Sequence, residues 1–493
     1  MAMHSRNFYP ISLSPHSRYT VLPLRQVRNY ILPDPQITLR LLLVLSLSLA
    51  YAAQASITIP AAPPLHWAAQ VGSVENVLKF LSQGIDVDEL DHHGSTPLMY
   101  AARAGQEATF QVLREHGANV HLVDQKGETL LHYAALGGKF SIFKLLLQAK
   151  LDPHVQNNNG LTPFRNAVSV GANQIISILL EQGVDLNQRL PADGVDVLQL
   201  ASKNGHHKTV ELLITQGVVI RPSGTITLER SALQWAALNG HHQVVRTLLD
   251  HKVPVDERDV DGNTPLILGS RQGHLNVVTV LLENNALANF RNKTGDTPLG
   301  VASKNGHDEI MTLLLNAGSQ FHSHWLGIPP LGLAASGGHT EAVKILVENG
   351  ADPNAIVDRD GHTPLIMAAA GRHYDTVQYL LSIGAKLDIK DRGGMTALMW
   401  ATGISNNSRM VKLLLSKGEN NLNQQSQTGE TALFKAIRSD NLETIQFLIN
   451  SGADITLSTL KGETPRMKAI NLPDDSYRKK VLDLLESNKP ENP

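Results

Sequence analysis

Apolar and polar positions follow one another along this chain in a unit that returns about every 33 residues. A short segment with Leu and a small pair, such as Ala101-Ala102, is followed by Gly and by a second segment with apolar residues at helical spacing. In "QVVRTLLDH" these are Val244, Val245, Leu248 and Leu249. A Gly-containing turn and a polar finger complete the unit. The pattern predicts a pair of short helices in each unit.

The first predicted helix recurs at a nearly constant spacing. Its first position is Pro64, Pro97, Leu130, Pro163, Val197, Ala232, Pro265, Pro298, Pro330, Pro364, Ala397, Ala432 and Pro465, which gives thirteen units in steps of 32 to 35 residues. Thr precedes that position in nine units and can cap a free N–H, and Pro occupies it in eight. Because one helix pair cannot cover its own apolar face, the units must stack into a solenoid.

Three stretches carry a family signal. Pro63–Gly72 (PPLHWAAQVG) and Glu128–Gly138 (ETLLHYAALGG) are similar to the T-P-L-H-x-A-A helix of the ankyrin repeat, and Glu348–Ala355 (ENGADPNA) resembles that family's turn into the finger. The resemblance extends over about Pro60–Asn488. It implies an all-α helix-turn-helix solenoid with short β-hairpin-like fingers. It also implies a non-catalytic scaffold whose concave face and finger loops hold a protein partner.

We expect a leader at 1–55, one array of about 13 units at 56–489 with its first and last units as caps, and a polar tail at 490–493. The array is not uniform. The joints at 221–231 and 319–330 lack the usual Asp-x-x-Gly finger. They indicate either drift in surface loops or a notch specific for a partner near His322–Trp325.

An apolar run precedes the array. From Leu41 to Ala53 it would span about 20 Å as a helix, less than the roughly 30 Å of a bilayer core, so no integral membrane span is expected in the mature chain. The run is typical of a secretory signal: Arg40 precedes an apolar centre, and small residues follow it before a cleavage point between Ala55 and Ser56. We expect export, to the periplasm or the medium. The Arg-rich stretch before the run indicates either a true start nearer Leu39, which we favour, or an organelle-targeting leader. If the leader does not function, a cytoplasmic protein is the alternative.

Charge and cysteine content exclude several classes of site. The net charge is −2, and because the first 55 residues hold five Arg and one Asp, the remainder carries −6, which argues against nucleic-acid binding. The absence of cysteine excludes disulfides and thiolate zinc sites. No phosphate-binding loop, H-E-x-x-H or G-x-S-x-G motif occurs, so we expect no cofactor and no enzymatic activity.

The resemblance to the ankyrin repeat implies a protein partner, and we expect the array to be monomeric. A second interpretation of the same fold is an exported microbial effector that acts on host proteins. An enzyme with a site hidden in the irregular joints is a weaker alternative.

Six basic residues recur at equivalent finger positions of units seven, eight, ten and eleven: Arg258, Arg291, Lys293, Arg359, Lys390 and Arg392. They predict an edge that meets an acidic partner. Acidic residues such as Glu257, Asp259 and Asp391 alternate with them. The competing interpretation is a solvated row of fingers linked by salt bridges.

Five histidines share one repeat position: His206, His241, His274, His307 and His339. Rungs about 10 Å apart cannot share a zinc ion with ligand bonds of about 2 Å, and the family resemblance implies a structural role at the start of the second helix. Aromatic residues just before the small pair are expected to pack between repeats; they are Trp67, Tyr100, Tyr133, Trp235 and Trp400.

Overall fold

The computed structural model describes residues 63–187, 194–221, 230–321, 327–416 and 422–488. Within these residues the chain is helical and has no strand, and its 26 helices form successive packed pairs, one pair for each predicted unit. The pairs are α1 Pro64–Val71 and α2 Val74–Ser82, α3 Pro97–Ala104 and α4 Glu107–Glu115, α5 Leu130–Leu136 and α6 Phe140–Gln148, α7 Pro163–Val170 and α8 Asn173–Glu181, α9 Val197–Lys203 and α10 His207–Thr215, α11 Ala232–Leu238 and α12 His242–Asp250, α13 Pro265–Gln272 and α14 Leu275–Glu283, α15 Pro298–Asn305 and α16 Asp308–Asn316, α17 Pro330–Gly337 and α18 Thr340–Glu348, α19 Pro364–Ala370 and α20 Tyr374–Ser382, α21 Ala397–Thr402 and α22 Ser408–Leu415, α23 Ala432–Arg438 and α24 Leu442–Asn450, and α25 Pro465–Ile470 and α26 Asp475–Ser487. The predicted helical solenoid is confirmed.

The first helix of each pair begins where the capping residue was predicted. The side-chain oxygen of Thr96 accepts a hydrogen bond from the amide of Met99 at 3.3 Å, and Thr264 does the same for Ile267. Asp196 and Ser231 replace Thr in units five and six and cap in the same way. Gly105, with φ 76°, ends α3 in the left-handed region that glycine tolerates best.

Apolar contacts continue from one unit to the next. Ala101, Ala102, Ala134 and Ala135 are fully buried, and α5 packs on both α3 and α7. The approach of α3 and α5 is so close that a Cβ on Gly137 would lie 2.0 Å from the carbonyl oxygen of Arg103. Small side chains are therefore required at this seam, and no unit has a core of its own.

The fingers are tight turns. The amide of Asp91 donates to the carbonyl of Ser95 at 3.0 Å, and the Asp91 carboxylate accepts from the amides of His93 and Ser95 at 2.8 Å. One backbone bond, from the Gln125 amide to the His93 carbonyl at 3.0 Å, links this finger to the next. The fingers resemble hairpins in their closing bond, but a side-chain carboxylate supplies the acceptors that a strand would supply.

Several predictions fall on residues outside the described part of the chain. They concern the leader at 1–55, the cleavage point at Ala55 and Ser56, the tail at 490–493 and the notch at His322–Trp325. The irregular joints at 221–231 and 319–330 are described only at their ends. The domain boundaries stay a prediction. Among the described residues no helix is both long and apolar enough to cross a bilayer.

Candidate protein-binding face

In units two, three and eleven, an aromatic side chain fixes the finger to the first helix that follows it. The hydroxyl of Tyr100 donates to the Asp91 carboxylate at 2.8 Å, and the indole Nε1 of Trp400 donates to Asp391 at 2.8 Å. The aromatic position thus holds a buried or half-buried carboxylate that also closes its own finger turn. Trp67 precedes the first described finger and is 51% exposed, so it does not pack between repeats as expected.

In the third unit, the aromatic side chain also contacts the finger of the preceding unit. The Tyr133 hydroxyl lies 3.0 Å from the Asp124 carboxylate and 2.8 Å from the hydroxyl of Ser95, which belongs to the preceding finger. Burial raises the pKa of Tyr133, and the Asp124 carboxylate raises it further. The phenol therefore stays neutral and joins two fingers by hydrogen bonds.

The corresponding position in the second unit has the same electrostatic character. Burial, and then the hydrogen bond to Asp91, raises the pKa of Tyr100 to about 12. Burial also acts to raise the pKa of Asp91, but hydrogen bonds from Ser95, Tyr100 and His93 outweigh it and the pKa is lowered.

A histidine replaces this tyrosine contact between the fingers of units ten and eleven. The Nδ1 of His362 lies 2.6 Å from the Asp358 carboxylate, and its Nε2 lies 3.5 Å from Asp391. Burial acts to raise the pKa of Asp358, but the amide and ring of His362 outweigh it and lower the pKa. Asp360 brings a third possible ligand atom within 4.8 Å. Both oxygens of Asp358 already accept hydrogen bonds from His362 or Asp360, which accounts for the cluster without a metal ion.

The histidine ladder joins consecutive units. Each of these residues is the N-cap of a second helix, and its ring donates from Nε2 to a carbonyl of the preceding first helix, as in His206 to Ser169 at 2.9 Å. A Cβ on Gly205 would lie 2.6 Å from the His241 ring, so the ring covers a glycine of the preceding unit. Sequence reasoning missed a sixth rung, His373, which lies 2.8 Å from the Ser336 carbonyl. The motif GRH, which matches the NGH of other units, could have identified it.

The six predicted finger residues all lie on the surface, and the structure does not gather them into one cluster: Arg258, Arg291, Lys293, Arg359, Lys390 and Arg392 are exposed and belong to four fingers. The Arg258 guanidinium lies over the Phe290 ring at 4.2 Å, and Lys390 donates to the Gln425 carbonyl at 2.9 Å. Asp259 and Asp391 are buried and accept amides of their own fingers, so these two acids do not alternate with the basic residues on the surface. The role of the six in binding stays a prediction.

The exposed sides of the first helices and the fingers beside them form what we call the first-helix face. The thirteen first helices contain no acidic residue, whereas nine basic residues occur in them: Arg103, Arg165, Lys203, Arg271, Lys304, Lys435, Arg438, Arg466 and Lys468. The second helices contain sixteen acidic and eleven basic residues. Within the helix pairs, acidic residues are thus confined to the second helices, whereas basic residues occur on both.

Some of these cations serve the fold. Arg165 is buried and donates to the Val195 carbonyl at 2.7 Å, whereas Arg271 and Lys435 form ion pairs with Asp296 and Glu430. Four others are exposed and have no carboxylate within 4.0 Å among the described residues: Arg103, Lys203, Lys304 and Arg438. Sequence reasoning missed this set, although counting charges within each predicted helix would have found it.

Comparison with known families identifies the repeat. The family model described as ankyrin repeats, three copies, matches residues 65–157, 131–223, 198–292, 299–391 and 383–459, which together cover well over half of the chain. The chain belongs to the ankyrin repeat family. It is also similar to the crystal structure of the human ASB11 ankyrin repeat domain, with 24% identity over 54% of this chain and 100% of that chain and a TM-score of 0.37. Ankyrin repeats indicate a protein-interaction scaffold, and the family is generally non-catalytic.

Two cavities open on the first-helix face of this ankyrin array. The first, of about 360 Å³, lies between units two and three and is lined by Tyr100, Tyr133, Arg103 and the carboxylates Asp124 and Glu128, among others. The second, of about 470 Å³, lies across units ten to twelve. Its apolar lining includes Met395, Met399, Trp400 and Ile404, and Lys435 and Arg438 also line it. The two cavities therefore differ in chemistry although both involve first helices and the residues before them.

Proposed function

We propose that this ankyrin array is a non-catalytic scaffold that holds a protein partner on its first-helix face and fingers, after export from the cytoplasm. The observation that carries the proposal is the set of exposed cations on the first helices. Arg103, Lys203, Lys304 and Arg438 pair with no carboxylate of the described residues, so ion pairing within the fold does not account for them; Lys203 lies over the Trp235 ring at 4.6 Å. The six basic finger residues would form the edge of the same surface.

Site-specific crosslinking in the native cell tests the scaffold. A photoreactive amino acid replaces Arg103, Lys304 or Arg438 on the first helices. The matched set replaces Lys144, Lys208 or Lys479, which are exposed on second helices. We expect discrete crosslinked protein species from the first set and few or none from the second, because only the first-helix face would be covered by the partner.

Equal crosslinking from both sets would contradict a binding face on the first helices. The absence of any crosslinked protein, at expression levels matched to the natural protein, would contradict the scaffold itself.

Export is supported by the signal-like stretch Arg40–Ser56, in which an apolar centre of signal length is followed by small residues. Cell fractionation followed by N-terminal sequencing should find a mature chain that begins at Ser56 in the periplasm or the medium. An uncleaved chain in the cytoplasm would overturn export. Protein recovered inside host cells would favour the effector interpretation over a partner in the producing organism.

A further inference from the structure

The absence of acidic residues from the first helices indicates the charge of the proposed partner. The chain as a whole carries a net charge of −2, yet its first helices carry only basic residues. The four exposed cations without an ion-pair partner in the described residues belong to units two, five, eight and twelve, so they recur along the array rather than forming one patch. A surface of this kind attracts a partner with negative charge distributed along its length.

The cavity of units ten to twelve indicates that the partner also presents an apolar side chain. Trp400, Met395 and Ile404 are half-buried, and the space beside them, about 470 Å³, is at the lower end of volumes that hold a small ligand or a bulky side chain. Lys435 is neutralised by Glu430 at 2.5 Å, whereas Arg438 is exposed and forms no ion pair with a described residue. The cavity thus combines an apolar lining with one available positive charge.

We propose that the first-helix face binds an extended acidic polypeptide segment, with one apolar side chain of that segment seated beside Trp400 and an adjacent carboxylate paired with Arg438. This inference rests on the proposed scaffold function and specifies its partner. The charge on the segment would supply long-range attraction, and the apolar side chain would fix its register.

The spacing of the cations favours a polypeptide over a nucleic acid. Helix pairs stack at about 10 Å, so cations three or four units apart lie roughly 30 to 40 Å from one another. An extended peptide covers that distance in about ten residues. Duplex DNA places a charge at about every 1.7 Å and needs a dense positive surface, which the net charge of −6 after residue 55 does not provide.

Binding of a designed probe to the full chain tests the proposal. The probe is a fluorescein-labelled peptide of 30 residues, with Glu at every third position in a Gly/Ser background and one Leu near each end. One matched peptide has Gln in place of every Glu, and another has Gly in place of both Leu. We expect the affinity to fall at least about tenfold without Glu, and about tenfold without Leu, as anisotropy titrations at low salt would show.

Protein variants locate the contact. The triple variant Arg103→Glu, Lys304→Glu and Arg438→Glu should weaken binding at least about tenfold, whereas the matched second-helix variant Lys144→Glu, Lys208→Glu and Lys479→Glu should change it less than about twofold. Ile404→Asn should abolish the advantage of the Leu peptide. Ile356→Asn, at a finger position that is 65% exposed, should preserve it. Circular dichroism of every variant verifies that the helices are retained.

Equal affinity for the Glu and Gln peptides, or an equal effect of the two triple variants, would overturn the acidic segment. Tighter binding of a 20-base-pair DNA duplex than of the Glu peptide would overturn the choice of polypeptide. In either case, continued protein crosslinking from the first helices would leave the scaffold function standing, so the two failures can be distinguished.

Discussion

Units two and three and units ten and eleven fix their fingers in the same way but with different side chains. In both regions an aspartate closes the finger turn and accepts a hydrogen bond from an aromatic residue nine positions later: Asp91 and Asp124 from tyrosine, Asp391 from Trp400. The contact to the neighbouring finger is made by a tyrosine hydroxyl near the N-terminal end and by the ring of His362 near the C-terminal end.

The difference shows which positions of the repeat can vary without disturbing its packing. The capping Thr, the finger aspartate and the buried small pair serve packing in both regions, whereas the exposed ends of the first helices do not. One cavity is consequently bordered by two carboxylates, and the other by apolar side chains together with a lysine and an arginine, although the backbone of the repeat is the same. A repeat fold can therefore vary its recognition chemistry without loss of stability.

The largest expected effect comes from removing the finger aspartates. Asp124→Ala removes a buried carboxylate that accepts hydrogen bonds from two backbone amides and from the Tyr133 hydroxyl. Asp391→Ala removes one that accepts from a backbone amide and from the Trp400 indole and that also contacts His362. We expect each to cost about 3 kcal/mol of local stability. Because these are the third units from either end, hydrogen exchange should accelerate in residues 64–148 for the first variant and in 397–487 for the second.

The matched control is Asp388→Ala, an exposed aspartate near Asp391, which should leave exchange unchanged. If either finger variant accelerated exchange evenly along the whole array, the two regions would not be independent and the comparison would fail.

A smaller effect is expected at the N-caps of the second helices. His373 in unit ten donates to the Ser336 carbonyl, whereas Lys139 in unit three has the same place in the repeat and lies over Gly105. His373→Ala should cost about 1 kcal/mol and Lys139→Ala less than half as much, from urea midpoints with unchanged slopes. Ala172→His, which would extend the ladder toward unit four, should stabilise the array by about 0.5 kcal/mol. Equal losses for His373 and Lys139 would show that the hydrogen bond contributes nothing.

The smallest expected effect at neutral pH concerns the tyrosine itself. Tyr100→Phe should cost about 0.5 kcal/mol below pH 10. The fold raises the pKa of Tyr100 from 10.0 to about 12, so the neutral phenol is the favoured form; its stabilisation is complete below pH 10 and is lost as the pH rises through 12. Trp400 has no ionisable proton in this range, so the finger contact of unit eleven should not share this sensitivity.

Helicity and tyrosinate absorbance measured together between pH 9 and 12 test this expectation. Relative to the natural protein, Tyr100→Phe should lose less helicity over that range. The control Tyr374→Phe lies outside the finger contacts and should follow the natural protein. An alkaline transition that is identical in all three proteins would remove this distinction between the two regions.

The sequence alone predicted the repeat, but it predicted only some of the residues of the first-helix face and its fingers. The frame that placed His206 and His339 correctly also contains His373, which a stricter alignment would have added. In contrast, Asp259 and Asp391 read as surface acids because they lie in polar fingers. Each is buried, because its carboxylate replaces backbone acceptors that the short turn cannot provide.

Period, helix boundaries and the basic composition of the first helices follow from the chain alone, because caps, glycines and apolar spacing act over a few residues. The cavity beside Trp400 does not, since its lining comes from three units whose equivalent positions are more than 30 residues apart. The link from Asp358 through His362 to Asp391 also required the stacking of two fingers. Interactions between residues close in sequence determine the helices of each unit, and only packing between units determines which side chains are exposed.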